Sequence, residues 1–340
     1  MVKQLLLLAI FVLVFWPKTV LAMASCEPFG CPQCAAGLHP VILIHGLGGR
    51  PEDWHMNDQN YLQLLGDKGY PSNYIREYVY VNADGIDETY DYQGDIRLIS
   101  ADLPKYVEEL AALSEFCGGD DSVDLVGYSL GGLVAREYLH QSSINFKDHK
   151  IRKLITVGTP HQGVYILWLE KFPEFLPQIG PVVKKKMNDI INSVVWNIKR
   201  YQPLDLNSVA IQQIRPDSIY LSNLNNLTMI VQHPDYYTLY GSIDASIRYQ
   251  IFILKMKIEI NLGDLFILPN SAAGIPYSST NRYPFSDQAI FEVGINGDKD
   301  NGFDFAVDWI TNNDLKFDHT SLLKYPDIQK TIVDLLTFYK

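Results

Sequence analysis

The stretch SVDLVGYSLGGLVAREYL, Ser122 to Leu139, sets one serine between two glycines where a strand pattern gives way to a helix pattern. Gly127-Tyr128-Ser129-Leu130-Gly131 fits the form G-x-S-x-G, with a strand before it and a helix after it. The backbone at such a corner turns so sharply that the residues two before and two after the serine crowd each other. A Cβ at either place would clash, so both positions favour glycine. The hydroxyl then stands clear of the sheet, and the helix N-terminus beneath it favours negative charge. A chain with this corner is committed to a strand-turn-helix unit, and the remaining sequence must be read around it.

It reads consistently. HPVILIHGLGG carries four apolar β-formers, Val41 to Ile44, and ends in a glycine-rich turn, as a buried parallel strand does. YIREYVYVN, Tyr74 to Asn82, alternates like a second strand. A helical face follows through Leu103, Tyr106, Val107, Leu110 and Leu113. Then come the strand VDLVG, a helix from Leu130 to about His140, and the strands KLITVG and YYTLYG. Strands alternating with helices predict an α/β fold with a doubly wound, mostly parallel sheet. Two regions interrupt the rhythm. Residues 164–235 are rich in Trp, Phe and Pro and then helical, with Val183, Met187, Ile190, Val194 and Ile198 on one face, which predicts a helical cap or lid insertion. The run YQIFILKMKIEINLGDLFIL, Tyr249 to Leu268, predicts a late β-hairpin. Both read as insertions in a single domain spanning 25–340.

The first residues, MVKQLLLLAIFVLVFW, combine an early lysine with an apolar run too short to span a bilayer, and small residues follow at Ala22 to Ala24. Residues 1–24 are expected to be a cleaved signal peptide, so the protein is expected outside the cell. An exported chain with four cysteines favours disulfide bonding, with the pairing left open. A formal net charge of -11 with no basic block argues against nucleic acid as a partner.

Attack by Ser129 on an acyl group would create an oxyanion, which needs donors already in place. The backbone N–H of Leu130 is one. The second is expected from the loop HGLGG, His45 to Gly49, through the backbone N–H of Leu47; His45 itself reads as a loop-shaping residue. The base must follow the serine in the chain, and among eight histidines His319, in LKFDHTSLL before a final amphipathic helix, is best placed.

PVILIHGLGG, VDLVGYSLGGLVAREYL, TVGTPHQGV and DHTSLL stand in the order found in secreted lipases of the α/β-hydrolase superfamily. The chain resembles lipase class 2 and the family I bacterial triacylglycerol lipases, densely from about Pro40 to Val164 and again near His319. The resemblance implies an ester hydrolase working through a Ser-His-acid triad and an acyl-enzyme, on lipid or another acyl ester, with a possible lipid interface, no cofactor and no partner protein. Acyl transfer or thioester cleavage on the same triad is the alternative, and an inactive lipid- or protein-binding member of the fold is another.

The acid has three candidates. Asp244, in LYGSID, lies just past a core strand. Asp298 and Asp300 lie in NGDKDNGFDF, within about twenty residues of His319. The resembling lipases place the acid beyond a hairpin, in an Asp-Gly motif at about that distance. Asp300 is therefore expected, although matching the motif without a gap puts Asn301-Gly302 there. Asp298 and Asp244 remain open. The same run departs from an EF-hand at Phe303 and Trp309, and Ser321 stands where family I lipases carry a calcium-binding acid, so no metal is assigned.

Overall fold

In a computed structural model, the described residues are 32–55, 60–80, 94–144, 150–164, 205, 207–226, 234–251, 254–261, 264, 267–274, 280–293, 319 and 321–338. The expected signal peptide and residues 165–204 of the expected cap lie outside them. Among the described residues seven strands form one sheet: β1 (Val41–Ile44), β2 (Ile75–Tyr78), β3 (Val123–Tyr128), β4 (Ile151–Val157), β5 (Asp235–Ile251), β6 (Leu254–Asn261) and β7 (Asn281–Val293). The order is β2-β1-β3-β4-β5-β6, with β7 also paired to β5. All pairings are parallel except β5 with β6.

The continuous apolar run of β1 has a simple cause. All four of its residues are fully buried, with Ile42 and Ile44 in the hydrophobic cluster on one face and Val41 and Leu43 in that on the other. Successive side chains alternate across a strand, so a sheet covered on both sides needs apolar residues at every position. On the first face lie α2 (Leu103–Phe116) and α3 (Leu130–Ile144), through Leu103, Val107, Leu110, Leu133 and Val134. On the second lie α1 (Tyr61–Gly66) and α6 (Pro326–Thr337). The helices α4 (Val209–Gln213) and α5 (Ile219–Asn225) extend the first face. Among the described residues no helix is long and apolar enough to cross a membrane.

The helix α6 follows His319 closely and shows how its neighbourhood is fixed. Pro326 begins it, where a missing N–H costs nothing, and Ile328, Ile332, Val333 and Leu336 bury one face. Each such side chain contributes about 1.5–3 kcal/mol by leaving water. At the far end the Lys153 ammonium donates to the carbonyls of Leu335 (2.6 Å) and Phe338 (2.8 Å). A cation there satisfies helix carbonyls that lack intrahelical partners and suits the negative end of the helix dipole.

The hairpin has a geometry that matters for the site. A strand has two edges. β7 holds one edge of β5 from Tyr237 to Tyr249, so β4 and β6 share the other, β4 along Asp235–Leu239 and β6 along Asp244–Ile251. β5 therefore runs past the end of β4, turns, and returns as β6 towards it. The pairing Val157 with Leu239 is the last of β4, and Asn261 with Asp244 lies a few residues beyond. The hairpin brings the chain back to the carboxyl end of the sheet.

Candidate active site

Ser129 sits at the junction of β3 and α3 with φ 51°, a left-handed conformation that few non-glycine residues adopt. Its N–H donates to Val157 O (2.8 Å), which ties the corner to the end of β4. A Cβ on Gly127 would lie 2.6 Å from Gly132 N and 2.7 Å from Gly131 C. A Cβ on Gly131 would instead strike the carbonyl oxygens of Ile44 (2.3 Å) and His45 (2.5 Å). The first glycine thus makes room for the turn itself, while the second lets the helix enter against the end of β1.

The loop after β1 lies against the serine. A Cβ on Gly46 would come 2.9 Å from Ser129 Cβ, and Gly49 N–H donates to Gly46 O (3.1 Å) to close the turn. Leu47 follows that contact by one residue, and Leu130 begins α3. His45 is buried, bonds Gly46 O through Nδ1 at 3.0 Å, and lies 3.9 Å from the Tyr80 ring. Burial pushes its imidazole down to about 4. A ring held neutral and turned into its own loop shapes that loop, as its place in HGLGG suggested.

Ser129, His319 and a carboxylate form one hydrogen-bonded line. Ser129 Oγ lies 2.9 Å from His319 Nε2, and His319 Nδ1 lies 2.8 Å from Asp264 Oδ2. A carboxylate only accepts, so Nδ1 carries the proton and Nε2 accepts from the serine hydroxyl. All three residues are buried, at 7%, 8% and 1% exposure. Asp264 is held firmly. Its Oδ1 accepts from Ile267 N–H (2.6 Å), and its backbone carbonyl accepts from His319 N–H (2.9 Å). Side chain and main chain of Asp264 thus both grip His319.

The carboxylate at His319 is therefore not one of the three named from the sequence. Asp298 and Asp300 lie outside the described residues. Asp244 is exposed on β5 and accepts from Asn261 Nδ2 (2.7 Å). The reason is the hairpin: the strand expected to end beside the histidine runs on, and its returning partner delivers the acid three residues after Asn261. In sequence Asp264 sits inside NLGDLFIL, where an apolar run on both sides conceals it within the expected hairpin. The one available signal was the Gly-Asp pair breaking that run, a mark of the strand's end.

Behind the serine, the loop TPHQG closes the site from the β4 side. A Cβ on Gly132 would meet Thr159 Oγ1 at 2.1 Å, so α3 and this loop touch backbone to side chain. His161 is fully buried. Arg136 Nη1 lies 3.3 Å from its Nδ1, and its Nε2 lies 3.1 Å from Thr156 Oγ1. Guanidinium only donates, so Nδ1 accepts and Nε2–H donates to Thr156, whose hydroxyl donates on to Tyr237 O (3.4 Å). Burial first, and the Arg136 charge second, hold His161 well below the ordinary imidazole range. Among the described residues no cluster of three or more His, Cys, Asp or Glu could hold a metal ion.

Comparison with known proteins fits this arrangement. Triacylglycerol lipases of Pseudarthrobacter phenanthrenivorans and Burkholderia plantarii are each 30% identical over 134 residues, 38% of this chain. The aligned stretch is 35% and 31% of those proteins, so the chain spans about a third of the relatives it matches. The mature form of lipase BlEst2 from Bacillus licheniformis superposes with a TM-score of 0.52 over 91% of this chain and 97% of that one, at 17% identity, and shares the fold. The lipase resemblance and the α/β-hydrolase fold read from the sequence are matched here. A model of the palmitoyl protein thioesterase family covers residues 40–245, more than half of the chain, from β1 through Ser129 into β5. The chain belongs to the palmitoyl protein thioesterase family.

Proposed function

We propose that the protein is a serine hydrolase of acyl esters, with Ser129 as nucleophile, His319 as base and then acid, and Asp264 as the acid of the triad. The observation that carries the reading is the line Ser129–His319–Asp264, with spacings of 2.9 and 2.8 Å. Ser129 Oγ attacks the carbonyl carbon while its proton passes to His319 Nε2. Asp264 holds the imidazole in the correct tautomer and stabilises the imidazolium. Negative charge on the carbonyl oxygen is received by the backbone N–H groups of Leu130 and Leu47, with the start of α3 adding its dipole. Collapse expels the alcohol, protonated by His319, and leaves an acyl-enzyme. Water, deprotonated by the same histidine, then releases the acid and the serine.

Thioester cleavage is a second reading, favoured by the family to which residues 40–245 belong. The chemistry is the same, with a thiol as leaving group. The relatives named as lipases favour lipid-like acyl chains on either leaving group. Export is part of the proposal as well, and the disulfide between Cys34 and Cys117 supports an oxidising compartment.

The test is hydrolysis of a long-chain p-nitrophenyl ester and of the matching acyl thioester by the wild type, Ser129→Ala, Asp264→Asn, Asp244→Asn and Asp300→Asn. Ser129→Ala is expected to lose roughly 10⁶-fold in kcat and Asp264→Asn roughly 10⁴-fold, the other two little. Loss in Asp300→Asn with full activity in Asp264→Asn would reassign the acid. Full activity in Ser129→Ala would end the proposal. The ratio of ester to thioester turnover decides between the two leaving groups.

A further inference from the structure

We propose that Tyr128 is a positioning residue that clamps the base to the nucleophile, an inference that rests on the triad reading above. Its ring stacks on the imidazole of His319, with centroids 5.4 Å apart and planes 25° from parallel. Its hydroxyl donates to the His319 carbonyl oxygen at 2.5 Å. The same side chain thus holds the plane of the catalytic ring and the backbone behind it. Tyr128 precedes Ser129 by one peptide bond at the end of β3, so the nucleophile and the clamp share a rigid anchor.

The need for a clamp follows from where His319 comes from. β3 is a central strand, and Ser129 is fixed by its bond to Val157 O. His319 arrives from the far end of the chain, separated from Ser129 by 190 residues. Asp264 grips it from the hairpin side by its side chain and its main chain. Neither bond refers His319 to the serine. Tyr128 supplies that reference, closing a loop of contacts from Ser129 through His319 and back to the residue next to Ser129. Proton transfer is sensitive to misplacement of about 1 Å, so a group that couples the two positions affects the chemical step more than substrate binding.

Phenylalanine at 128 keeps the stacked ring and removes only the hydroxyl; leucine removes both contacts. Kinetics on a p-nitrophenyl ester are expected to show kcat reduced roughly fivefold in Tyr128→Phe and roughly fiftyfold in Tyr128→Leu. KM should stay within about twofold in both, since the clamp leaves substrate binding untouched. The rate at which a fluorophosphonate labels the serine should fall in the same order, with no acyl pocket involved. Tyr128→Phe is isosteric and guards against a leucine variant that fails to fold, and thermal melting of each variant identifies that case. Equal kcat in wild type and Tyr128→Phe, with an equal labelling rate, would overturn the hydroxyl's role. A loss confined to KM, or a leucine variant no slower than the phenylalanine one, would overturn the clamp. Ser129→Ala separates the two levels: if it retains hydrolysis, the triad reading falls, whereas if it is inactive and the Tyr128 variants are normal, only the clamp falls.

Discussion

Gly158 shows how closely the site is packed at the scale of a single residue. It has φ +53°, and its N–H donates to Leu239 O at 2.8 Å. A Cβ there would lie 2.7 Å from Leu322 Cδ1, 3.2 Å from His319 Nδ1 and 3.3 Å from Asp264 Oδ2. The glycine leaves room for the hydrogen bond between His319 and Asp264. Gly158→Ala is expected to cost about 1–2 kcal/mol of stability from backbone strain, and to lower kcat about tenfold or more by pushing the pair apart. Gly69→Ala is the control. That residue has φ +92°, and among the described residues a Cβ there would meet only Leu38 Cδ1, at 3.9 Å, so it should lose similar stability with unchanged kcat. Melting temperature and kcat measured together separate strain from misplacement. Residues of this kind were partly legible in the sequence. Ser129 declared itself because its turn needs two glycines at fixed offsets, and His319 because it precedes the last amphipathic helix. Asp264 did not, because beyond the Gly-Asp break an aspartate between Leu-Gly and Leu-Phe-Ile carries no pattern of its own; the pairing of Asp244 with Asn261 decides its position.

At the scale of elements, strand pattern was the stronger guide. Val41–Ile44 read correctly because burial on both faces demands apolar side chains throughout, Val123–Gly127 and Lys153–Val157 because apolar β-formers dominate them around the buried Asp124, Lys153 and Thr156, and α2 and α6 because one buried stripe repeats with the helical period. The sequence placed a hairpin at Tyr249 to Leu268, whereas the antiparallel pair is Asp244–Ile251 with Leu254–Asn261, since alternation says nothing about which neighbour a strand continues. The disulfide pairing was equally hidden until the fold brought Cys34 beside Cys117, the C-terminal cap of α2. That bond closes a span of 83 residues and lies at the end of the sheet where β3 begins, away from Ser129 at its other end. Loop-closure entropy puts its contribution at about 4.5 kcal/mol. The Cys34→Ser, Cys117→Ser double variant should melt well below the wild type while kcat per folded molecule stays within about twofold. An unchanged melting temperature would show that the segment before β1 is held by its other contacts alone, such as Asn73 Nδ2 to Gln33 O at 2.9 Å.

At the scale of the whole molecule, two buried neutral histidines set an acid limit on stability. His45 is pushed down to about 4 by burial, and His161 well below the ordinary range by burial and Arg136. Both bind fewer protons folded than unfolded below the ordinary histidine value of about 6.5, so stability falls with falling pH from there towards 4. His45 alone contributes about 3 kcal/mol across that window. Melting temperature should therefore decline steadily between pH 7 and 4.5, and His45→Gln should decline less steeply over the same interval. A variant with the full wild-type slope would remove His45 from the account. The hairpin carries a different kind of consequence. Because β6 is measured out by its ladder against β5, the place of Asp264 follows from where that ladder starts, at Asp244 opposite Asn261, together with its own bonds to Ile267 and His319. Equal additions to both strands at the far tip would leave Asp264 in place. An extra residue between Asn261 and Asp264 would instead lengthen the segment that carries the carboxylate to His319 and displace it from Nδ1. The step from Asn261 to Asp264 is thus the sensitive length, while paired additions at the tip leave it unchanged.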